Sequence, residues 1–461
     1  MAKELFGTDG IRGVAGQYPL DAATIQAVGV ALGRIMRDMS GGTEVVLGID
    51  TRESGPWIAA HLAGGLLAER VRLRYAGVVT TPGVAYLART GPFAAGVVIS
   101  ASHNPYQDNG IKIFDHSGYK LADRLEHRLE EMVFELLAQG IALSPAQLVE
   151  DPSLDEQYLE FLLSTFPGTL DGLHLVVDCA NGAASRLAPE LFRRLGARIR
   201  PIHCSPDGRN INLNCGALYL ESLQAAVAEY GADLGLALDG DADRAIFVSR
   251  RGKVIDGDGV LLLAARFLLE KGELGGPEGR PTVVSTVMSN LGLERALARL
   301  GIAMPRTAVG DKYVLEEMLR LGAVLGGEQS GHVIFLNWAT TGDGLLTALR
   351  VLEVMRATGK DPEALTEDLV RYPQRLVNVR VRERRPLEEL PEVQQAVTAA
   401  TEAFGASGRI LVRYSGTELL ARVMIEGPDE TLVQEHAERI AAAFERTIGA
   451  TAGLSQASAI S

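Results

Sequence analysis

The chain has 461 residues, of which 47% are hydrophobic and 22% are charged. This length exceeds what one hydrophobic core supports, so we expect a globular protein of roughly two to four domains. The net charge of −13 argues against nonspecific nucleic-acid binding, although local basic residues can still attract a small anion.

No segment predicts a membrane span or an oxidising compartment. Residues 260–269 form the longest apolar stretch, which is too short for a bilayer. Residues 1–5 lack the apolar core of a signal peptide. The three cysteines, Cys179, Cys204 and Cys215, show no metal-ligand spacing, so we expect reduced thiols in the cytoplasm.

A unit of strand, small-residue loop and helix recurs along the first three quarters of the chain. Its strands are predicted at residues 45–50, 173–178 and 282–286, and Gly196 and Gly301 end the second and third helices. This βαβ pattern indicates α/β domains with mainly parallel, mixed sheets. An amphipathic helix at 21–38 precedes the first unit.

The C-terminal part has a different pattern. Residues 375–385 alternate between apolar and charged, as in a half-buried strand. Helices are predicted at 387–404 and 429–448, and strands at 409–412 and 420–425, which together indicate an α+β domain. We therefore expect three related α/β domains, an α+β domain and a flexible tail, at residues 1–153, 154–255, 256–370, 371–449 and 450–461.

Two glycine-containing loops stand out in the first domain. Residues 6–13, FGTDGIRG, predict either a loop near a ligand, with Arg12 beside it, or a structural turn. Residues 97–114 contain two short apolar runs joined by a polar loop that presents Ser102 next to His103. An ordinary β-turn is the alternative interpretation of this second loop.

Three carboxylates follow a predicted strand of the second domain. Asp239, Asp241 and Asp243 alternate in an extended loop, so their charges can converge on one cation. Oxygen-only ligands favour Mg²⁺ or Ca²⁺, and the spacing does not fit an EF-hand, since Arg244 occupies its glycine position. A solvated acidic turn is the alternative interpretation.

Two later loops also combine polar groups. Glu328 and Ser330, in GGEQSGH, would project to the same side of an extended loop and could bind sugar hydroxyls. Arg413, in RYSGTE, joins two hydroxyls and free backbone N–H groups in a phosphate-sized nest, to which Arg422 could add a second guanidinium. Plain turns remain the alternative for both loops.

Four of these stretches, ISASHNP, DGDADR, GGEQSGH and RYSGTE, resemble in this order the loops of the α-D-phosphohexomutase superfamily. FGTDGIRG and residues 309–314, VGDKYV, are similar to the bacterial branch that acts on glucosamine phosphates. The resemblance spans nearly the whole chain and implies four domains around a central cleft. No Walker A, GxGxxG, GxSxG or HExxH pattern supports a kinase, dehydrogenase, serine hydrolase or zinc protease.

The resemblance also implies roles for single residues. Ser102 would carry a phosphoryl group, and Asp239, Asp241 and Asp243 would bind one Mg²⁺ per subunit together with it. The other catalytic positions are His103, Lys112, Arg244 and His332. The substrate-binding positions are Arg12, Glu328, Ser330, Arg413, Ser415, Gly416, Thr417 and Arg422. One departure is Tyr414, where the family usually has proline.

The implied reaction moves a phosphate between the 6 and 1 positions of glucosamine through a bisphosphosugar. A phosphoglucomutase or phosphomannomutase of the same fold, a Mg²⁺-dependent sugar phosphatase and a phosphosugar-binding regulator are the alternatives. A regulator would not need Ser102 as a carrier. The expected partner is a small phosphosugar, with no nucleic acid and no membrane, and a homodimer is one assembly that the resemblance allows.

Overall fold

The structure is a computed structural model that describes residues 4–7, 9–40, 44–415 and 418–450. Its contacts divide the chain into two compact units. The first comprises Met1–Met288 with Gly301–Glu367, and the second comprises Ser289–Leu300 with Asp368–Ser461. None of the described helices is long and apolar enough to cross a membrane.

The first part of the chain forms a mixed sheet in the order β1-β2-β6-β5-β3-β4. Strands β3, β4 and β5 are parallel, and β6 runs antiparallel to β5 and β2. The elements are β1 (Phe6–Gly7), β2 (Gly10–Val14), α1 (Ala22–Ser40), β3 (Glu44–Ile49), α2 (Gly55–Ala68), β4 (Arg72–Val78), α3 (Thr81–Thr90), β5 (Ala95–Ile99), β6 (Asp108–Asp115) and α4 (Asp123–Gln139).

Both faces of β5 are buried, which explains the continuous apolar run that predicted this strand. Val97 and Ile99 belong to a core that includes Leu62 of α2, whereas Val98 belongs to a second core with Val84 of α3. Successive strand residues point to opposite faces, so helices on both sides require apolar residues at every position.

The second sheet has the order β11-β10-β9-β7-β8, in which β7, β8 and β9 are parallel. The elements are α5 (Ser153–Thr165), β7 (His174–Asp178), α6 (Leu187–Arg194), β8 (Arg198–Ile202), α7 (Glu221–Tyr230), β9 (Leu234–Leu238), β10 (Ala245–Ser249) and β11 (Val254–Ile255). The acidic loop therefore begins at the carboxyl end of β9, as predicted.

The third sheet has the order β13-β12-β14-β15, with only β15 antiparallel to its neighbour. The elements of this region are α8 (Gly257–Glu270), β12 (Val283–Thr286), α9 (Leu291–Arg299), β13 (Arg306–Thr307), α10 (Asp311–Leu321), β14 (Leu325–Gly327), β15 (Val333–Phe335), α11 (Gly344–Thr358) and α12 (Pro362–Leu365). Helix α9 follows β12 as the repeat predicts, but its contacts place it in the second compact unit.

The C-terminal domain is an antiparallel sheet, β16-β18-β17, with two helices. Its elements are β16 (Gln374–Arg380), α13 (Pro391–Phe404), β17 (Arg409–Tyr414), β18 (Leu420–Glu426) and α14 (Glu430–Ile448). Helix α13 begins at Pro391 rather than Leu387, because proline is favoured at the first helical position and a short 3₁₀ turn precedes it. The predicted tail, apart from Ala450, lies outside the described residues.

The predicted fold class, α/β domains with mixed sheets and a C-terminal α+β domain, is confirmed. The exact residues at which one domain ends and the next begins remain predictions.

We predict that Phe444→Ala destabilises the C-terminal domain by about 3–5 kcal/mol, because it leaves a cavity in a closed core. Phe444 of α14 is fully buried among Ala421, Val423 and Ile440. Urea unfolding combined with amide hydrogen exchange of β18 measures the loss. On the same helix, Leu432→Ala is the control; this side chain is 38% exposed and should cost about 0.5 kcal/mol or less. Equal losses in both variants would contradict this account of the core.

Candidate active site

Ser102 lies between β5 and β6 in a loop that faces the second domain. Its side chain is 1% exposed, and its backbone adopts the left-handed region with φ of 51°. The Oγ atom donates to Asp239 Oδ2 at 2.6 Å and lies 3.3 Å from His103 Nδ1. The hydroxyl of Ser102, the predicted phosphoryl carrier, thus lies close to both the His103 imidazole and the Asp239 carboxylate.

A buried arginine holds this loop in its unusual conformation. The Arg52 guanidinium donates to the carbonyl oxygens of Ser102 and Asn104, both at 2.9 Å, and to Asp50 Oδ2 at 2.8 Å. From the second domain, Asn212 Nδ2 also donates to the Ser102 carbonyl, at 2.8 Å. Sequence reasoning missed this support, although Asp50 ends a predicted parallel strand, where functional groups commonly lie.

The acidic loop brings its three carboxylates together as predicted. Ligand oxygens of Asp239, Asp241 and Asp243 lie within 4.8 Å of one another, and all three side chains are buried. Within the described part of the chain, Oδ1 of Asp241 and Oδ1 of Asp243 are buried atoms that have no hydrogen-bond partner. Unpaired buried oxygens of this kind fit a hard divalent cation.

Lys112 of β6 supplies the positive charge at the centre of this cluster. Its Nζ atom lies 2.8 Å from Asp241 Oδ2, 3.1 Å from Asp9 Oδ2 and 3.5 Å from Asp243 Oδ2. Burial opposes the charged form, but these carboxylates raise the pKa of Lys112 well above its usual value. Lys112 is therefore a fixed cation in the structure.

Burial and the nearby charges also shift the pKa values of two aspartates in the acidic loop. Burial, reinforced by Asp243 and Asp241, raises the pKa of Asp239 well above its usual range. Burial would raise the pKa of Asp243 too, but Lys112, His332 and Arg244 hold that pKa below its usual range. Two aspartates of the same loop thus have pKa values that shift in opposite directions.

The imidazole of His103, next to Ser102, has a lowered pKa. Burial, followed by the nearby charges of Arg244 and Arg12, lowers the pKa of His103 to about 4. The imidazole is therefore neutral near pH 7 and can accept a proton.

Arg12 and Arg244 add unsatisfied donors to the site. Arg12 pairs with Asp9, and the backbone N–H of Arg244 donates to Asp239 Oδ1 at 3.1 Å. The Nε atoms of both arginines are buried without a hydrogen-bond partner among the described residues. Guanidinium groups with free N–H donors suit a phosphate.

The predicted sugar loop connects β14 and β15. Glu328 Oε1 accepts from the Gly310 backbone N–H at 3.1 Å, and Ser330 Oγ lies 3.5 Å from Glu328 Oε2. His332 Nε2 accepts from the Gly342 N–H at 3.0 Å, while its Nδ1 lies 3.7 Å from Asp243 Oδ2. The structure thus places His332 beside the acidic cluster and brings Glu328 and Ser330 together at the tip of the loop.

A chain of ion pairs that the sequence did not reveal links these loops. Lys120 contacts both Asp9 and Asp311, and Asp311 Oδ2 lies 3.8 Å from His332 Nε2. Asp9 in turn contacts Lys112. The sequence predicted a loop near a ligand or a structural turn for FGTDGIRG, which contains Asp9, and for VGDKYV, which contains Asp311, only a similarity to one branch of the superfamily.

In the C-terminal domain, two predicted phosphate ligands lie opposite each other. Arg413 of β17 pairs in register with Arg422 of β18. Burial, followed by the charge of Arg422, lowers the pKa of Arg413, and Nε of Arg422 is buried with no hydrogen-bond partner in the described chain. Like charges directly across a strand pair are destabilising, so a bound anion would relieve this contact.

The adjoining loop is only partly described. Ser415 is buried, and its Oγ accepts from the Glu418 N–H at 3.4 Å. Gly416 and Thr417 lie outside the described residues. Tyr414 donates through its hydroxyl to the Arg385 carbonyl at 2.7 Å and packs edge-on against Phe444. These contacts hold the start of the loop.

Family profiles cover nearly the whole chain. Residues 3–139, 156–252 and 256–372 match those described as phosphoglucomutase/phosphomannomutase alpha/beta/alpha domains I, II and III. Residues 376–443 match the profile of the C-terminal domain of the same family.

Known proteins agree with these profiles. A protein named phosphoglucosamine mutase from Solibacter usitatus is 58% identical over 449 residues, which cover 97% of this chain and 100% of that protein. The crystal structure of a phosphoglucomutase/phosphomannomutase family protein from Burkholderia thailandensis superposes with a TM-score of 0.79 at 25% identity, covering 96% of this chain and 97% of that one.

A more distant structure shares the fold. Aspergillus fumigatus N-acetylphosphoglucosamine mutase, solved with GlcNAc-6P and magnesium, has a TM-score of 0.65 at 19% identity, covering 95% of each chain. The four domain profiles of one family match in order along the chain, and the Solibacter usitatus protein is 58% identical over 97% of it. The chain therefore belongs to the phosphoglucosamine mutase family of the α-D-phosphohexomutases.

Proposed function

We propose that this protein interconverts glucosamine 6-phosphate and glucosamine 1-phosphate, with Ser102 as the phosphoryl carrier. The observation that carries the proposal is the position of Ser102 Oγ, 2.6 Å from Asp239 within a buried triad of carboxylates. A phosphoserine there would lie against a cation site and beside guanidinium donors, which are the groups that phosphoryl transfer needs.

The proposed exchange conserves the phosphoryl group. A sugar hydroxyl forms a bond to phosphorus as the bond from phosphorus to Ser102 Oγ breaks, which yields a bisphosphosugar. The sugar then presents its other phosphate, and Ser102 Oγ forms a new bond to that phosphorus as the sugar oxygen leaves. His103, whose Nδ1 lies 3.3 Å from Ser102 Oγ, would take the proton of the attacking hydroxyl and return it to the sugar oxygen that leaves in the second step.

The charged residues around Ser102 would bind the metal ion and keep its ligands in place. Asp239, Asp241 and Asp243 would hold Mg²⁺ through oxygens that include the two unpaired ones. Bound there, the ion would offset the negative charge of the transferring phosphoryl group. Lys112 keeps the carboxylates close together, because it contacts both Asp241 and Asp243.

The remaining residues would bind the phosphosugar. Arg12 and Arg244 have N–H donors with no hydrogen-bond partner in the described chain, and these suit the oxygens of the transferring phosphoryl group, while Glu328 and Ser330 offer an acceptor and a hydroxyl for the sugar. Arg413, Arg422 and Ser415, with Gly416 and Thr417, would bind the non-reacting phosphate. A cytoplasmic location and a homodimer remain predictions.

The choice of glucosamine over glucose or mannose is tested by turnover. Equal concentrations of the three sugar 6-phosphates, assayed with the same preparation, should give the highest kcat/KM for the glucosamine compound. Preference for glucose or mannose phosphate would assign the chain a different substrate, and release of inorganic phosphate at the rate of turnover would indicate a phosphatase.

We predict that purified protein carries a phosphate on Ser102 in a fraction of molecules and that Ser102→Ala abolishes both the phosphate and the mutase activity. The reason is that the exchange requires an oxygen at this position. Intact-mass measurement and phosphopeptide mapping locate the increment. Ser164→Ala, an exposed serine of α5, is the control and should keep both properties. Full activity in Ser102→Ala would refute the covalent carrier.

We predict that Asp241→Asn raises the Mg²⁺ concentration needed for half-maximal activity by about tenfold or more, because the ion loses a charged ligand. A titration after EDTA treatment measures this, and added Mg²⁺ should restore the untreated wild type. Asp171→Asn, at an exposed position of the second domain, should leave the titration unchanged. A wild-type Mg²⁺ dependence in Asp241→Asn would remove this residue from the ion site.

We predict that Arg413→Ala raises KM by about ten- to a hundredfold with a smaller fall in kcat, because an arginine–phosphate contact made in both ground and transition states acts mainly on binding. Steady-state kinetics separate the two parameters. Arg446→Ala, which removes an exposed arginine of α14, is the control. A collapse of kcat alone would mean that Arg413 serves the reacting phosphoryl group instead.

A further inference from the structure

A second group of metal-ligating side chains lies outside the proposed mutase site. Within the described ranges, two clusters bring three ligand atoms within 4.8 Å of one another. One is the aspartate triad, and the other consists of Asp178, His203 and Cys215. The proposed phosphoryl transfer uses none of these three residues.

The three residues come from separate segments that the parallel sheet brings together. Asp178 is the last residue of β7, His203 directly follows β8, and Cys215 lies in the connection from β8 to α7. Because β7 and β8 pair in parallel, with Asp178 opposite Ile202, their carboxyl ends meet at one edge. The cluster therefore occupies the edge of an α/β sheet where ligands commonly bind.

Hydrogen bonds hold the carboxylate of this cluster in place. Asp178 Oδ1 accepts from the Ala180 N–H at 2.9 Å, and Oδ2 accepts from the Gly216 N–H at 3.0 Å. The same Oδ2 lies 2.9 Å from His203 Nδ1. Backbone donors thus orient the carboxylate toward the imidazole independently of any ion, so one side of the site is preformed.

The Cys215 thiol makes a weaker hydrogen bond than the other two side chains of the group. Cys215 is 1% exposed, and its hydrogen-bond contact is a long one, 4.0 Å from Asn181 Nδ2. His203 is 31% exposed at its side chain, so the cluster is open to solvent on the imidazole side. An ion therefore has a route to a buried sulfur atom.

The dimensions agree with a four-coordinate ion. Ligand atoms about 2.0–2.3 Å from a tetrahedral centre lie roughly 3.3–3.8 Å from one another. Asp178 Oδ2 and His203 Nδ1 lie 2.9 Å apart, and the ligand atoms of all three residues lie within 4.8 Å of one another. The three side chains are therefore close enough to approach a single ion.

We infer that Asp178, His203 and Cys215 form a second cation site that takes a borderline metal ion of the Zn²⁺ class. Sulfur and nitrogen donors distinguish it from the oxygen-only triad, which suits Mg²⁺. On binding, the Cys215 thiol proton and the His203 Nδ1 proton both leave to solvent, while the imidazole carries its proton at Nε2. The hydrogen bond between Asp178 and His203 is then replaced by coordination of both side chains to the ion. Three protein ligands leave the fourth position to water. The inference does not rest on the proposed mutase activity.

The test is a Co²⁺ titration of the full-length, tag-free protein, reduced and stripped of metals with EDTA that is then removed. Excess Mg²⁺ is present to compete at the carboxylate triad. A thiolate-to-cobalt charge-transfer band should develop with a stoichiometry of one per chain, and Zn²⁺ should abolish it by displacement. The absence of this band in the reduced wild-type protein would overturn the inference without bearing on mutase turnover.

Variants identify the donors. Cys215→Ser should lose the band, and His203→Asn should weaken Co²⁺ binding by about tenfold or more. The His203 variant keeps the test informative if the buried Cys215→Ser change impairs folding. Cys204→Ser is the matched control, since Cys204 adjoins His203 in sequence but is absent from the cluster, and it should keep the band. A band that survives Cys215→Ser, or one that disappears in Cys204→Ser, would refute this ligand set.

Discussion

The candidate site depends on one buried ammonium group among carboxylates. Lys112 is 2% exposed and contacts Asp9 of the N-terminal loop together with Asp241 and Asp243 of the acidic loop. Removing one partner of a buried ionic group leaves an uncompensated charge, which is strongly destabilising. The N-terminal loop and the acidic loop are therefore held to the same strand, β6, that follows the Ser102 loop.

Buried groups that lack a hydrogen bond make this site suited to chemistry. Oδ1 of Asp241 and Oδ1 of Asp243 have no hydrogen-bond partner among the described residues. At the same time Arg12 and Arg244 each keep a buried Nε–H that has no hydrogen-bond partner within the described part of the chain. Carboxylate oxygens that can bind a cation thus lie next to guanidinium N–H groups that can bind an anion. Together they complement a metal ion that is bound to a phosphoryl group.

Much of this site was predictable because its loops are contiguous in sequence. Ser102 with His103, the three aspartates, and Glu328 with Ser330 each lie within one short loop after a strand, so composition and strand pattern located them. Arg52 could not be recognised in this way. It contacts the Ser102 carbonyl from a loop about 50 positions earlier in the chain, and only the pairing of β3 with β5 makes them neighbours.

Local sequence patterns were enough to predict the α/β class, the alternating order of strands and helices, and the chemical loops, because hydrophobic period and loop composition are local properties. They could not show which distant groups form ion pairs, such as Lys120 with Asp311, or which cysteine lies beside Asp178 and His203, since folding brings these groups together. The cysteines had no metal-ligand spacing along the chain. Parallel strands nevertheless bring residues that are far apart in sequence to one edge of the sheet. The spacing of residues along the chain does not show which of them become neighbours there.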